Sequence, residues 1–263
     1  ETPWASLFAD KAEENLQQAI ALDPQQWRYQ KSLAEYYIGK EQYADALNIA
    51  EPFYKQHPEN YIMGMLYAKT LLLNKKFAET DALLSRINVI PFEGATDGRQ
   101  LYHEAKLMQA VEHMKNKNYK KAIQFINASS LWPENLGVGK PYNEDIDYRL
   151  ENWLLYQCYS KLRNTTQAQQ ALQRIVAFTP KRINTIRNYL PANTIVSAWA
   201  YQQLDTPAKG TQMINDWINK EPGNELAKWS SEIILNSNAT IAPATVMKDE
   251  AVRIIQAWLM LNQ

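Results

Sequence analysis

The chain has 263 residues and a mass of 30.4 kDa, more than a typical single domain, so it is either two domains or one elongated repeat array. Its 46% hydrophobic and 21% charged residues exclude a mainly disordered chain. Twenty-eight basic residues balance 28 acidic ones, which removes the charge footprint of a nucleic-acid binder, and a lone Cys158 excludes an internal disulfide framework.

No run of about 18 apolar residues occurs, so no membrane span is expected. The chain opens Glu1-Thr2-Pro3, without Met and without a signal-like apolar segment. It is read as a processed form or an excised part of a longer protein.

The predicted elements are all helical. Ala12, Leu16, Ala19 and Pro24 have the pattern of a second helix in a half-unit over 1–25. The first helix of that half-unit is reduced to Trp4–Phe8 or lies before residue 1. The next unit spans 27–60: Leu33, Ala34 and Tyr37 share one helix face, Tyr43 opens a second helix carrying Ala46, Ala50 and Phe53, and Pro58 closes it. A unit over 61–94 follows with Ala68, Leu71, Phe77, Leu84 and Ile87. Thr80 stands there in place of a small residue, which predicts looser packing.

Four recurrences share one period. Ala12 to Ala46, Pro24 to Pro58, Ala34 to Ala68 and Tyr43 to Phe77 are each 34 residues apart. On these residues the chain resembles the tetratricopeptide-repeat family. The resemblance implies an all-α solenoid of antiparallel helix pairs wound into a right-handed superhelix. Such arrays are non-catalytic scaffolds that hold a peptide or partner protein in the groove lined by their first helices.

Beyond residue 91 the spacing stretches. A turn-rich insertion is expected around Phe92–Leu101, and a second over Asn135–Asp147. The units then fall at about 103–136, 150–184 and 191–224, with further helices over 225–263. The whole of 1–263 is expected to form one solenoid.

Leu131–Tyr142 (LWPENLGVGKPY) carries a second, narrower resemblance through Pro133, Glu134, Asn135, Leu136, Gly137, Gly139, Lys140 and Pro141. It is similar to the repeat-bearing C-terminal region of bacterial proteins of domain-of-unknown-function family 5107. That resemblance implies a β-rich, sugar-enzyme-like part upstream and a bacterial source, and leaves the compartment, cytoplasm or periplasm, open. It supplies the alternative reading of an accessory helical domain of a carbohydrate-processing enzyme. A glycan-binding helical-repeat protein is the third reading, and an exposed flat Trp or Tyr platform would favour it.

No catalytic, metal or cofactor site is expected. Gly137-Val138-Gly139-Lys140 lacks the Ser/Thr of a phosphate loop, because Pro141 follows the lysine and no strand precedes it. The loop is read either as a packed turn or as a binding loop formed by Asn135, Gly137, Gly139 and Lys140. His103 and His113 lack the spacing of a helical zinc pair. Cys158 has no histidine partner and reads as a core thiol. The acidic group Glu144, Asp145 and Asp147 reads as a solvated turn.

The candidate partner-binding residues are therefore the inward positions of the first helices: Arg28, Lys31, Met65, Lys69, Leu107, Val111, Trp153, Tyr156 and Trp199. The partner is a protein, a peptide or an upstream part of the same polypeptide, and the groove turns from charged to aromatic along its length. Trp153, Tyr156 and Trp199 are the expected anchors for an apolar helix or extended segment. Their alternative place is the core.

Overall fold

The computed structural model describes residues 3–91, 95–178, 191–236 and 241–261. Among them every regular element is helical. They divide into two compact units, one formed by 1–105 with 133–139 and the other by 106–132 with 140–263. The boundary falls inside one helix.

In the first unit, α1 (Pro3–Leu22) leads to the pairs α2 (Trp27–Gly39) with α3 (Tyr43–Gln56), and α4 (Tyr61–Leu73) with α5 (Phe77–Leu84). From Trp27 to Tyr61, and from Tyr43 to Phe77, the helix starts keep the 34-residue period. Each helix packs on the next, and α2 also touches α4. Ala34, Ala46, Ala50 and Ala68 have no exposed surface, so small residues sit where the backbones come closest. Helix α4 starts on Asn60, whose side chain accepts from the Met63 amide at 3.1 Å. It is buried around most of its circumference, as a helix with neighbours on several sides must be. Thr80 is fully buried, and its Oγ1 donates to the Lys76 carbonyl at 2.9 Å, so its hydroxyl is satisfied within its own helix.

Helix α6 (Asp97–Lys115) crosses from the first unit to the second. It corrects the turn expected over Phe92–Leu101: residues 92–94 lie outside the described residues, and 97–101 form the first turns of α6. Similarly, α1 runs unbroken through Trp4–Phe8, so no separate short helix stands there.

The second unit holds α7 (Tyr119–Ser129), α8 (Arg149–Lys161), α9 (Thr165–Phe178), α10 (Asn193–Gln203), α11 (Pro207–Lys220), α12 (Glu225–Asn236) and α13 (Glu250–Leu259). The expected unit 150–184 is represented by α8 and α9; residues 179–184 lie outside the described residues. Two single-turn 3-10 helices, Glu134–Leu136 and Asn143–Asp145, occupy the second insertion.

One device closes all five pairs. Glu41, Lys75, Lys117, Arg163 and Asp205 each take a left-handed backbone, with φ between 57° and 61°. Each lies two residues before a second helix. In the first of these turns the Glu41 amide donates to the Ile38 carbonyl at 3.0 Å and the Gln42 amide to Tyr37 at 2.9 Å. The turns at Lys75, Lys117 and Arg163 repeat both bonds. This is the usual left-handed way to satisfy the last carbonyls of a helix, made here without glycine.

The core of the second unit is one apolar cluster running from Leu107 on α6 to Leu259 on α13. Cys158 lies inside it with no exposed surface, and burial pushes its thiol up to about 12. Gly210 marks a close crossing: a Cβ there would stand 2.8 Å from the Ala198 carbonyl oxygen. Asp147 and Arg149, expected in or beside a solvated turn, are instead buried together. The guanidinium donates from Nε at 2.9 Å and Nη2 at 2.6 Å to the two carboxylate oxygens, and Nη1 donates to Ser197 Oγ on α10 at 2.9 Å. A bidentate fork with a further N–H donated to a hydroxyl is the arrangement that makes burial of such a pair tolerable.

Candidate functional site

The first unit keeps its candidates accessible. Arg28 on α2 is exposed, with its guanidinium 4.5 Å from the Trp27 ring centroid. Lys31 pairs with Glu35 on the same helix at 2.6 Å. On α4, Met65 is half-buried and Lys69 exposed. These four form a mixed, cationic and apolar surface on two touching first helices.

The second unit does the opposite. Leu107, Val111, Trp153 and Trp199 are buried, and only Tyr156 is half-exposed, its hydroxyl donating to Gln203 Oε1 at 2.7 Å. The expectation of an accessible aromatic lining is corrected here: Trp153 and Trp199 are interior side chains. Their rings stack at 5.2 Å, and the covering residue is Trp258, 5.5 Å from Trp153 and 5.0 Å from Trp199. Trp153 comes from α8, Trp199 from α10 and Trp258 from α13. The face of the two first helices is thus occupied by the chain's own C-terminal helix.

The sequence of α13 explains why it docks. Ala251, Ile254, Ile255 and Trp258 follow the i, i+3, i+4, i+7 spacing of an apolar stripe. Val252, Gln256 and Leu259 are buried as well, so the helix is embedded over more than half its circumference. Asp249 caps it by accepting from the Ala251 amide at 2.8 Å. Trp153 and Trp199 were expected as anchors for a partner; they are core residues packed on Trp258, which was not among the candidates. The stripe on α13 was the signal that would have found it.

A cleft of about 240 Å³ lies at the C-terminal end of α13. It is lined by Met114, Trp258 and Leu261, by Lys115, Lys117 and Lys161, and by Tyr119 and Gln157. All three lysines are exposed.

The insertion loop is tied down rather than presented. Asn135 Nδ2 donates to the carbonyls of Leu84 at 2.9 Å and Ile87 at 2.7 Å, and its own carbonyl accepts from Val89 at 2.8 Å. Gly137 has φ +68°, and a Cβ there would lie 3.0 Å from the Val89 carbonyl oxygen, so the position requires glycine on two counts. Leu136 is buried between them. Gly139 and Lys140 are exposed, with nothing near a Cβ at Gly139. Among the described residues no group of three or more metal-ligating side chains comes together, and no helix is long and apolar enough to cross a membrane.

No family model matches the chain, and no curated protein does. Among solved structures it is similar to YrrB, a TPR protein with an unusual peptide-binding site, at 12% identity and TM-score 0.39, over 84% of this chain and 99% of that one. It is also similar to a chain in the structure of Naa15/Naa10 bound to HypK-THB, at 12% identity and TM-score 0.27, over 86% of this chain and 36% of that one. Neither likeness bears on what this chain binds. The all-α, tetratricopeptide-like assignment rests on its own helix pairs, their 34-residue period and the turn that closes each pair.

Proposed function

We propose that this chain is a non-catalytic protein-interaction module. It binds a segment of a partner protein, or of an upstream part of its own polypeptide, on the faces of its first helices. The observation that carries this reading is the seating of α13 on Trp153 and Trp199. A helix with an apolar stripe is the kind of ligand that a groove between parallel first helices accepts. In the first unit Arg28, Lys31, Met65 and Lys69 offer an accessible surface of the same origin. The three tryptophans at the centre of the second unit are buried, so they do not make the exposed platform that a glycan-binding reading needs.

Photo-crosslinking in the source cell tests the proposal. A benzophenone side chain is placed at Lys69 and at Lys161 on first helices, and at Asn48 and Lys209 on second helices. A partner captured from the first pair of positions and not from the second is the expected result. Equal capture from all four overturns the assignment of the binding face.

A further inference from the structure

The neutral charge of the chain is a cancellation between its two units. The first carries 10 Lys and Arg against 16 Asp and Glu, a net −6, and the second 18 against 12, a net +6. The sign turns at one repeat position. The third residue of each second helix is Asp45 on α3, Glu79 on α5, Lys121 on α7, Gln167 on α9 and Lys209 on α11. Helix α7 has Lys120 and Lys121 in its first turn and no acidic residue there. An acidic side chain in a first turn interacts favourably with the helix dipole, and a lysine does not. Helix stability therefore accounts for Asp45 and Glu79 and leaves Lys120 and Lys121 unexplained.

The excess is concentrated at one edge of the second unit. Lys115, Lys117, Lys120 and Lys121 lie in and beside the α6–α7 turn, and Lys161 and Arg163 in the α8–α9 turn. The two turns are in register: Lys115 and Lys161 each stand two residues before a left-handed cation, Lys117 or Arg163. They also come together in space, since Lys115, Lys117 and Lys161 line a common cleft. All six cations are exposed. None of them is ion-paired among the described residues, whereas Lys31, Lys55 and Lys76 each have a carboxylate within 4 Å. Exposed like charges without counter-charges of their own raise the local positive potential and steer an anionic partner toward it.

We propose that this edge docks an acidic segment, rich in Asp and Glu, of a partner protein. Two observations favour a polypeptide over other polyanions. The ring of Phe125, one turn from Lys121, is already engaged: Lys106 and Lys121 lie 5.6 and 5.4 Å from its centroid, and His113 stacks on it at 5.1 Å. It offers no open face on which a nucleic-acid base could stack. A long nucleic acid or a charged bilayer also meets the net −6 of the first unit, which belongs to the same chain, whereas a short acidic segment contacts the second unit alone. The inference takes from the interaction reading above only that the partner is a polypeptide. It adds a second surface and the chemistry that recognises it.

The test uses the full chain and a fluorescein-labelled peptide of alternating Glu and Ser, followed by fluorescence anisotropy. Binding is expected to weaken about 10-fold between about 0.05 M and 0.5 M salt. The triple variant Lys117→Glu, Lys121→Glu, Arg163→Glu is expected to lose about 10-fold or more in affinity. It is expected to melt no lower than the unsubstituted chain, because Glu41 and Glu79 already stand at the equivalent turn and helix positions. A control triple in the first unit, Lys11→Glu, Lys40→Glu, Lys75→Glu, changes the total charge equally and is expected to leave the affinity within about 2-fold. Equal losses in the two triples overturn the proposal, because binding then follows total charge and not this edge. A lower melting point for the first triple assigns its cations to the fold and also overturns it. No binding of the acidic peptide, or tighter binding of polyuridylate or of phosphatidylserine vesicles, overturns the acidic segment as occupant. Photo-crosslinking at Lys69 tests the first-helix reading separately and is untouched by these results.

Discussion

Trp153 and Trp199 stack with their ring planes 23° apart, on two different first helices. That contact makes the centre of the second unit depend on large rings whose loss leaves a cavity. Trp199→Ala is expected to cost about 3–5 kcal/mol, the range for a buried Trp. Urea denaturation followed by far-ultraviolet circular dichroism measures it. A cost below about 1 kcal/mol would mean the ring lies on the surface, the range of ordinary surface substitutions being smaller still.

The Asp147–Arg149 pair makes a second test. Asp147→Ala strands a guanidinium that is almost fully buried, and is expected to cost about 3–5 kcal/mol. Lys31→Ala breaks a pair that water already screens, and should cost no more than about 1 kcal/mol. Comparable costs for the two would contradict the burial of the Asp147–Arg149 fork.

Gly210 and Gly139 form a matched contrast. A methyl at Gly210 meets the backbone of Ala198, which has no rotamer with which to yield, so Gly210→Ala is expected to destabilise by about 1–3 kcal/mol. Gly139→Ala has open space and should be close to neutral. Thermal melting of the two variants decides the matter.

Tyr67 gives a pH dependence with a definite sign. Burial, and then donation to Glu51 Oε1 at 3.0 Å, push its hydroxyl from 10 up to about 12. The folded state therefore favours the neutral phenol. Its contribution is complete below the unfolded value near 10 and is lost as the pH rises toward 12. Tyr67→Phe should flatten that part of the stability profile relative to the unsubstituted chain. An unchanged slope would show that Tyr67 does not titrate with unfolding.

Legibility in the sequence followed physical locality. The period from Ala34 to Ala68 and from Tyr43 to Phe77 was plain, because close helix packing demands small or aromatic residues at fixed steps. The start of α6 was not: Asp97-Gly98 reads as a turn, but Gly98 is there because a Cβ would stand 2.8 Å from the Leu136 carbonyl oxygen. That constraint comes from a residue distant in the chain. The five left-handed turns were hidden for a different reason. The expected signal is glycine, and charged residues stand there instead. Trp153 and Trp199 were expected to line an open groove; that Trp258 packs against both was invisible until α13 was placed in space.

The repeated turn at Glu41, Lys75, Lys117, Arg163 and Asp205 has a consequence for how the chain reaches this structure. Each turn fastens two helices that are neighbours in sequence, through bonds reaching no further than five residues. Such hairpins close quickly, since little chain entropy is lost in forming a short loop. The chain therefore has five separate places at which folding can begin. Synthesis from the N-terminus completes all five before the segment that covers Trp199 has emerged.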